Sequence, residues 1–85
     1  MFLYILKSIK DNSYYIGISK NIDNRLNQHN RGSVLPTKSK KPWVLAHKEW
    51  YNSRSNAFKR EKYLKSLKKR KALEILFEPS SSSLV

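Results

Sequence analysis

Two apolar runs, "FLYILKSI" (Phe2 to Ile9) and "YYIGIS" (Tyr14 to Ser19), stand on either side of "KDNS". This arrangement constrains the fold more than any other feature of the chain. Both runs have the length and the aromatic and branched composition of strands. Asp11 and Asn12 between them can bond their own backbone in a tight turn, so the pair predicts an antiparallel hairpin. Gly17 costs stability inside the second strand. It marks either a bulge or a close approach to the backbone.

The stretch "NIDNRLNQHNRG" reads as a short helix. Asn21 is a suitable N-cap, Asp23 suits the first turn, Ile22 and Leu26 are its apolar residues, and Gly32 is its stop. "GSVLPTKSKKP" is a loop carrying Lys38, Lys40 and Lys41, and Trp43 to Tyr51 has strand composition. "NSRS" then begins the longest helix, from Ser55 or Asn56 to the late sixties. "KALEILF" predicts a further helical piece, packing through Leu73, Leu76 and Phe77. The order β-β-α-β-α-α predicts an α+β fold: a small three-stranded antiparallel sheet with helices packed on it. One domain is expected over residues 1–78, with a flexible tail over 79–85.

With no cysteine a disulfide framework is excluded, and with only two histidines a structural zinc site is not expected. Lys7 interrupts the apolar N-terminus, and nothing approaches the ~20 apolar residues of a membrane span. A soluble, cytoplasmic protein is expected. Eighteen Lys and Arg against six acids give a formal net charge of +12, whereas about 2–8 units suffice to keep a small domain in solution. The excess points to a polyanionic partner bound through its phosphates.

Three sets of residues could carry chemistry. In the long helix, Ala57, Phe58 and Leu64 form an apolar stripe, and Glu61 lies on it. A carboxylate there is costly unless it is paired or binds a cation. A pair with Lys65 one turn on would satisfy it equally well. Arg25 and His29, four apart, project from one helical face. The arginine could grip a phosphate by its fork, and the histidine could relay a proton near neutrality. Tyr4 and Tyr15, on adjacent strands, could be cross-strand neighbours.

With these residues in view, the chain resembles the GIY-YIG nuclease superfamily, in its short stand-alone form. "FLY" (Phe2-Leu3-Tyr4) and "YIG" (Tyr15-Ile16-Gly17) look like the paired tripeptides, and Arg25, His29 and Glu61 follow in the family's order. The likeness runs through "RLNQHNRG", "TKSKKPW" and "AFKREKYLK". Relatives include the N-terminal domain of a bacterial excision-repair nuclease. The departures are Phe2-Leu3 in place of Gly-Ile, and no asparagine between Lys62 and Val85, where relatives often carry one. The resemblance implies a DNA endonuclease of repair or recombination using one Mg²⁺ or Mn²⁺ ion. Glu61 would hold the metal, Tyr4 and Tyr15 would serve the attacking water, Arg25 would bind the scissile phosphate, and His29 would assist. Ile16 and Gly17 complete the structural motif. Phosphate contacts are expected from Lys38, Lys40, Lys41, Arg60, Lys65, Lys68 and Lys69. Such contacts position a duplex without reading its sequence. Selection is therefore expected from branched, nicked or otherwise distorted DNA, or from a protein partner. With phenols near a pKa of about 10, the many nearby cations are expected to lower the tyrosines into a useful range.

Overall fold

The computed structural model describes residues 1–67. Its sheet has the order β2-β1-β3, with β1 (Phe2–Ser8) in the middle, β2 (Tyr14–Ser19) and β3 (Trp43–Trp50) at the edges, and both pairings antiparallel. Helix α1 (Ile22–Asn30) follows β2, a 3₁₀ turn (Leu35–Lys40) leads into β3, and α2 (Arg54–Leu67) follows it. The order β-β-α-β-α of the described residues agrees with the sequence reading. The proposed last helical piece, the tail, Lys68 and Lys69 lie outside the described residues.

The central place of β1 explains why its apolar run does not alternate: both of its faces are covered. Leu3 and Ile5 pack with Ile16 and with Leu64 of α2, while Tyr4 and Leu6 pack with Trp43 and with Ile22 of α1. The two helices thus lie on opposite faces. Each such buried side chain contributes roughly 1.5–3 kcal/mol relative to exposure.

The strand ends at Ser8 rather than Ile9. The Ser8 hydroxyl accepts the N–H groups of Lys10 (3.1 Å) and Asp11 (3.2 Å). This turns the chain and leaves Ile9 exposed. As the turn chemistry predicts, an Asp11 carboxylate oxygen accepts the Ser13 N–H at 3.0 Å.

Gly17 sits opposite Tyr4, and Tyr15 opposite Leu6. The two tyrosines are therefore diagonal neighbours on one face, not a directly opposed pair. The strand carries no bulge at Gly17. The irregularity lies instead between β1 and β3, where Ile5 pairs with His47 and Leu6 with Leu45. Glycine is required at 17 by the close approach of a ring: a Cβ there would lie 2.6 Å from the Tyr4 hydroxyl oxygen and 2.7 Å from its ring carbon.

Helix α1 begins as expected, with the Asn21 side chain accepting the Asn24 N–H at 3.0 Å. It stops at Gly32, whose φ of +79° suits glycine. The Ser33 and Gly32 N–H groups bond back to the Gln28 and His29 carbonyls, closing the helix end. In α2 the buried stripe comprises Ala57 and Leu64 but not Phe58, which is exposed. At about 100° per residue, the position after Ala57 already faces away from the sheet.

Candidate active site

The tyrosine face of the sheet and helix α1 enclose a small aromatic cluster. Tyr15 and His29 meet edge to face with centroids 4.8 Å apart, and Tyr4 lies 6.0 Å from His29 and 6.4 Å from Tyr15. Tyr15 is half-buried, while Tyr4 and His29 are fully enclosed. The cluster is held from below by hydrogen bonds rather than by packing alone.

Those bonds define one consistent set of proton positions. With the Thr37 hydroxyl donating to the Val34 carbonyl at 3.2 Å, its oxygen accepts from His29 Nδ1, 2.7 Å away. His29 therefore carries its proton on Nδ1 and leaves Nε2 as a lone pair, to which the Tyr4 hydroxyl donates at 3.1 Å. A single directed chain results: Tyr4 to His29 to Thr37 to Val34. Burial, and then the neighbouring Arg25 charge, push the His29 pKa down to about 4. The ring is thus neutral at pH 7, as the chain requires.

Thr37 is itself placed by β3. Its carbonyl accepts the Trp43 indole N–H at 3.0 Å. Asn30, at the end of α1, receives the Trp43 backbone N–H at 2.5 Å and donates to the Trp43 carbonyl at 3.0 Å. Sequence reading missed Thr37, Asn30 and Trp43 as supports of the site. A loop threonine eight residues after a histidine carries no periodic signal.

Arg25 lies beside this chain. Its guanidinium donates to the Gln28 side-chain oxygen at 2.8 Å, and among the described residues no carboxylate pairs with it. Burial raises the Tyr4 pKa, Arg25 pulls it down less strongly, and the Tyr15 and Glu61 charges add to the rise. The net direction is upward, which corrects the expectation that cations would lower it. Burial outweighs the charge because the ring is enclosed. Tyr4 is therefore held in its protonated form.

Glu61 projects from α2 close enough for its charge to act on Tyr4. Its side chain is 13% exposed, and one carboxylate oxygen pairs with Lys65 at 3.2 Å. The i,i+4 pair thus forms, but on a half-exposed lysine that a competing cation can displace. The described residues hold no cluster of three potential metal ligands. A cage made wholly of protein is absent there, yet a hard cation that keeps most of its waters needs only one or two carboxylates. Glu61 suits that role.

The basic candidates divide. Lys38 and Lys41 are exposed beside the end of α1, with the Lys38 stem and the Lys41 ammonium near Gly32. Lys40 faces the hairpin turn, 3.8 Å from Asp11. Lys65 is engaged with Glu61, and Arg60 is tied through two hydrogen bonds to Glu49. His47 bonds Glu49 at 2.9 Å, away from the tyrosine cluster.

A three-stranded antiparallel sheet with two helices in the order β-β-α-β-α is a GIY-YIG-like fold. Residues 1–74 match the GIY-YIG catalytic domain, and the chain belongs to that family. It is similar to small UPF0213 proteins: 36% identical over 78 residues to UPF0213 protein SH2523 of Staphylococcus haemolyticus, covering 91% of this chain and 94% of that one. It is 37% identical, with the same coverage, to a UPF0213 protein of Staphylococcus aureus. The solution NMR structure of UPF0213 protein BH0048 from Bacillus halodurans superimposes with a TM-score of 0.57 at 26% identity, covering 98% of this chain and 92% of that one. A catalytic domain of this family implies phosphodiester chemistry on nucleic acid. No helix among the described residues is long and apolar enough to cross a membrane.

Proposed function

We propose that the protein is a metal-dependent endonuclease that hydrolyses DNA phosphodiester bonds at distorted sites such as nicks, flaps or branches, in repair or recombination. One observation carries the reading most: Arg25, a cation with no acidic partner among the described residues, acts on a directed proton chain that runs from Tyr4 to a neutral histidine. Packing alone needs neither the charge nor the direction.

In this reading Arg25 leaves Gln28 for the scissile phosphate and grips two of its oxygens. That movement uncovers the Tyr4 hydroxyl to a water. The water oxygen forms the new bond to phosphorus as its proton passes to Tyr4 and the Tyr4 proton passes to His29 Nε2. The bond to the leaving sugar oxygen breaks, and that oxygen takes a proton from solvent. The Thr37 hydroxyl keeps Nδ1–H bonded throughout, which stabilises the imidazolium. Tyr15, half-exposed against His29, borders the water's position. Glu61 would hold a magnesium or manganese ion, whose chemistry is to stabilise the charge that builds on the phosphate. Lys38 and Lys41, both exposed, would meet flanking phosphates.

The alternative, a nucleic-acid-binding module that does not cut, finds some support in the Glu61–Lys65 pair. Incubation with nicked, flapped, branched and plain duplex DNA in magnesium, manganese or chelator separates the two. Metal-dependent cutting, reduced in Tyr4→Phe and Arg25→Ala, is expected. Tight, salt-sensitive binding with no cutting in any metal would replace the nuclease by the module.

A further inference from the structure

Helix α2 presents a second feature, on the flank away from Glu61. Tyr51, Asn56, Lys59, Arg60 and Tyr63 line an open cleft of about 480 Å³. Asn56, Lys59, Arg60 and Tyr63 recur at helical spacing along one face. Glu61 borders the buried Ala57–Leu64 stripe on its other side.

The cleft has a rigid floor. Arg60 donates from Nε (3.0 Å) and Nη2 (3.2 Å) to the two carboxylate oxygens of Glu49, and its guanidinium lies 5.5 Å from the centre of the Tyr63 ring. Glu49 also accepts the Tyr51 hydroxyl at 2.6 Å. Burial would raise the Glu49 carboxyl, but hydrogen bonds from Arg60, Tyr51 and His47 outweigh it and hold it at about 2. Arg60 is therefore locked and already neutralised. It is poorly suited to capture a phosphate, but well suited to hold a flat surface in place. The Tyr63 ring is 55% exposed, Lys59 stands exposed at the rim, and among the described residues no acidic side chain lines the cleft.

We propose that this cleft holds an unpaired nucleotide of the DNA substrate, its base stacked on Tyr63 and Arg60 and its phosphate at Lys59. An aromatic ring and a planar cation accept the face of any base. The bases of an intact duplex keep their faces within the stack and cannot reach such a surface. The volume falls in the range of small-ligand sites, and the net charge of +12 favours a polyanion over a protein segment. The inference rests on the nuclease reading for its choice of DNA. It narrows the substrate to DNA with a single-stranded element about one helix width, ~10 Å, from the cleavage point.

The test is binding in chelator, where no hydrolysis occurs, of a short single-stranded oligodeoxynucleotide carrying 2-aminopurine and of the matching blunt duplex. Tyr63→Ala should weaken single-strand binding about tenfold, abolish the stacking quench of 2-aminopurine, and leave duplex affinity unchanged. Tyr63→Trp should preserve both signals. Equal loss on both DNAs, no loss on either, or a lower melting temperature with unaltered binding would each overturn the proposal. The last result would mean that the cleft is filled by the protein itself. Stacking without cutting would refute the nuclease reading alone, and cutting without stacking would refute this inference alone.

Discussion

Replacing Thr37 by valine removes one hydroxyl from a fully buried position and keeps its shape. In the native site that hydroxyl receives His29 Nδ1–H at 2.7 Å and donates to the Val34 carbonyl. The variant leaves His29 Nδ1–H without a partner in a place closed to water, while the Val34 carbonyl keeps the Thr37 backbone N–H at 3.1 Å. A buried donor left unsatisfied costs about 1–3 kcal/mol. For a domain of this size, each 1 kcal/mol lowers the melting temperature by roughly 4–8 °C. The ring can escape part of the cost by moving its proton to Nε2, but it then presents a donor to Tyr4 and can no longer take the phenolic proton. Loss of a positioned acid–base group is worth roughly 10²–10⁴ in rate. Single-turnover cleavage by Thr37→Val should therefore fall about a hundredfold with DNA affinity preserved. The ¹⁵N shifts of the His29 ring should report the change of tautomer. Thr37→Ser should restore both. A valine variant that cuts at the native rate, or a serine variant as impaired as the valine, would refute the proton chain.

Two further outcomes follow from the same geometry. Gly17→Ala forces a methyl group within 2.6 Å of the Tyr4 hydroxyl. Overpacking of this kind costs about 1–3 kcal/mol, and urea denaturation together with cleavage should show joint loss of stability and activity, because the displaced ring is the one bonded to His29. The His29 pKa lies at about 4 in the fold against an ordinary 6.5. The unfolded chain thus binds the extra proton first, and stability present above pH 6.5 is lost as pH falls toward 4. That displacement corresponds to about 3 kcal/mol. Urea melts across this interval should show the decline, and His29→Gln should flatten it.

Much of the fold was legible because strong local signals agree with the tertiary structure: the apolar runs of β1 and β2, the Asn21 cap and the Gly32 stop. Legibility failed where a long-range contact decides. Ile9 continues an apolar run, yet the Ser8 hydroxyl bends the chain away before it. Phe58 looks like part of the helical stripe but sits on its solvent side. The candidate site was legible as residue types in order, but not as a proton circuit. Thr37 enters through the 3₁₀ turn and the Trp43 anchor, which no spacing encodes. The Tyr4 pKa moves opposite to the charge-based expectation because burial, invisible along the chain, dominates. Arg60 reads as one more phosphate contact until β3 brings Glu49 against it.

The nuclease reading requires that this site cut DNA through Glu61. The most direct measurement compares the protein with Glu61→Gln on an end-labelled flapped duplex, in magnesium and in chelator, with DNA affinity measured alongside. Discrete products are expected in magnesium, none in chelator, and none from the variant even though it binds the DNA. Equal cutting by Glu61→Gln, or cutting that persists in chelator, would contradict that reading.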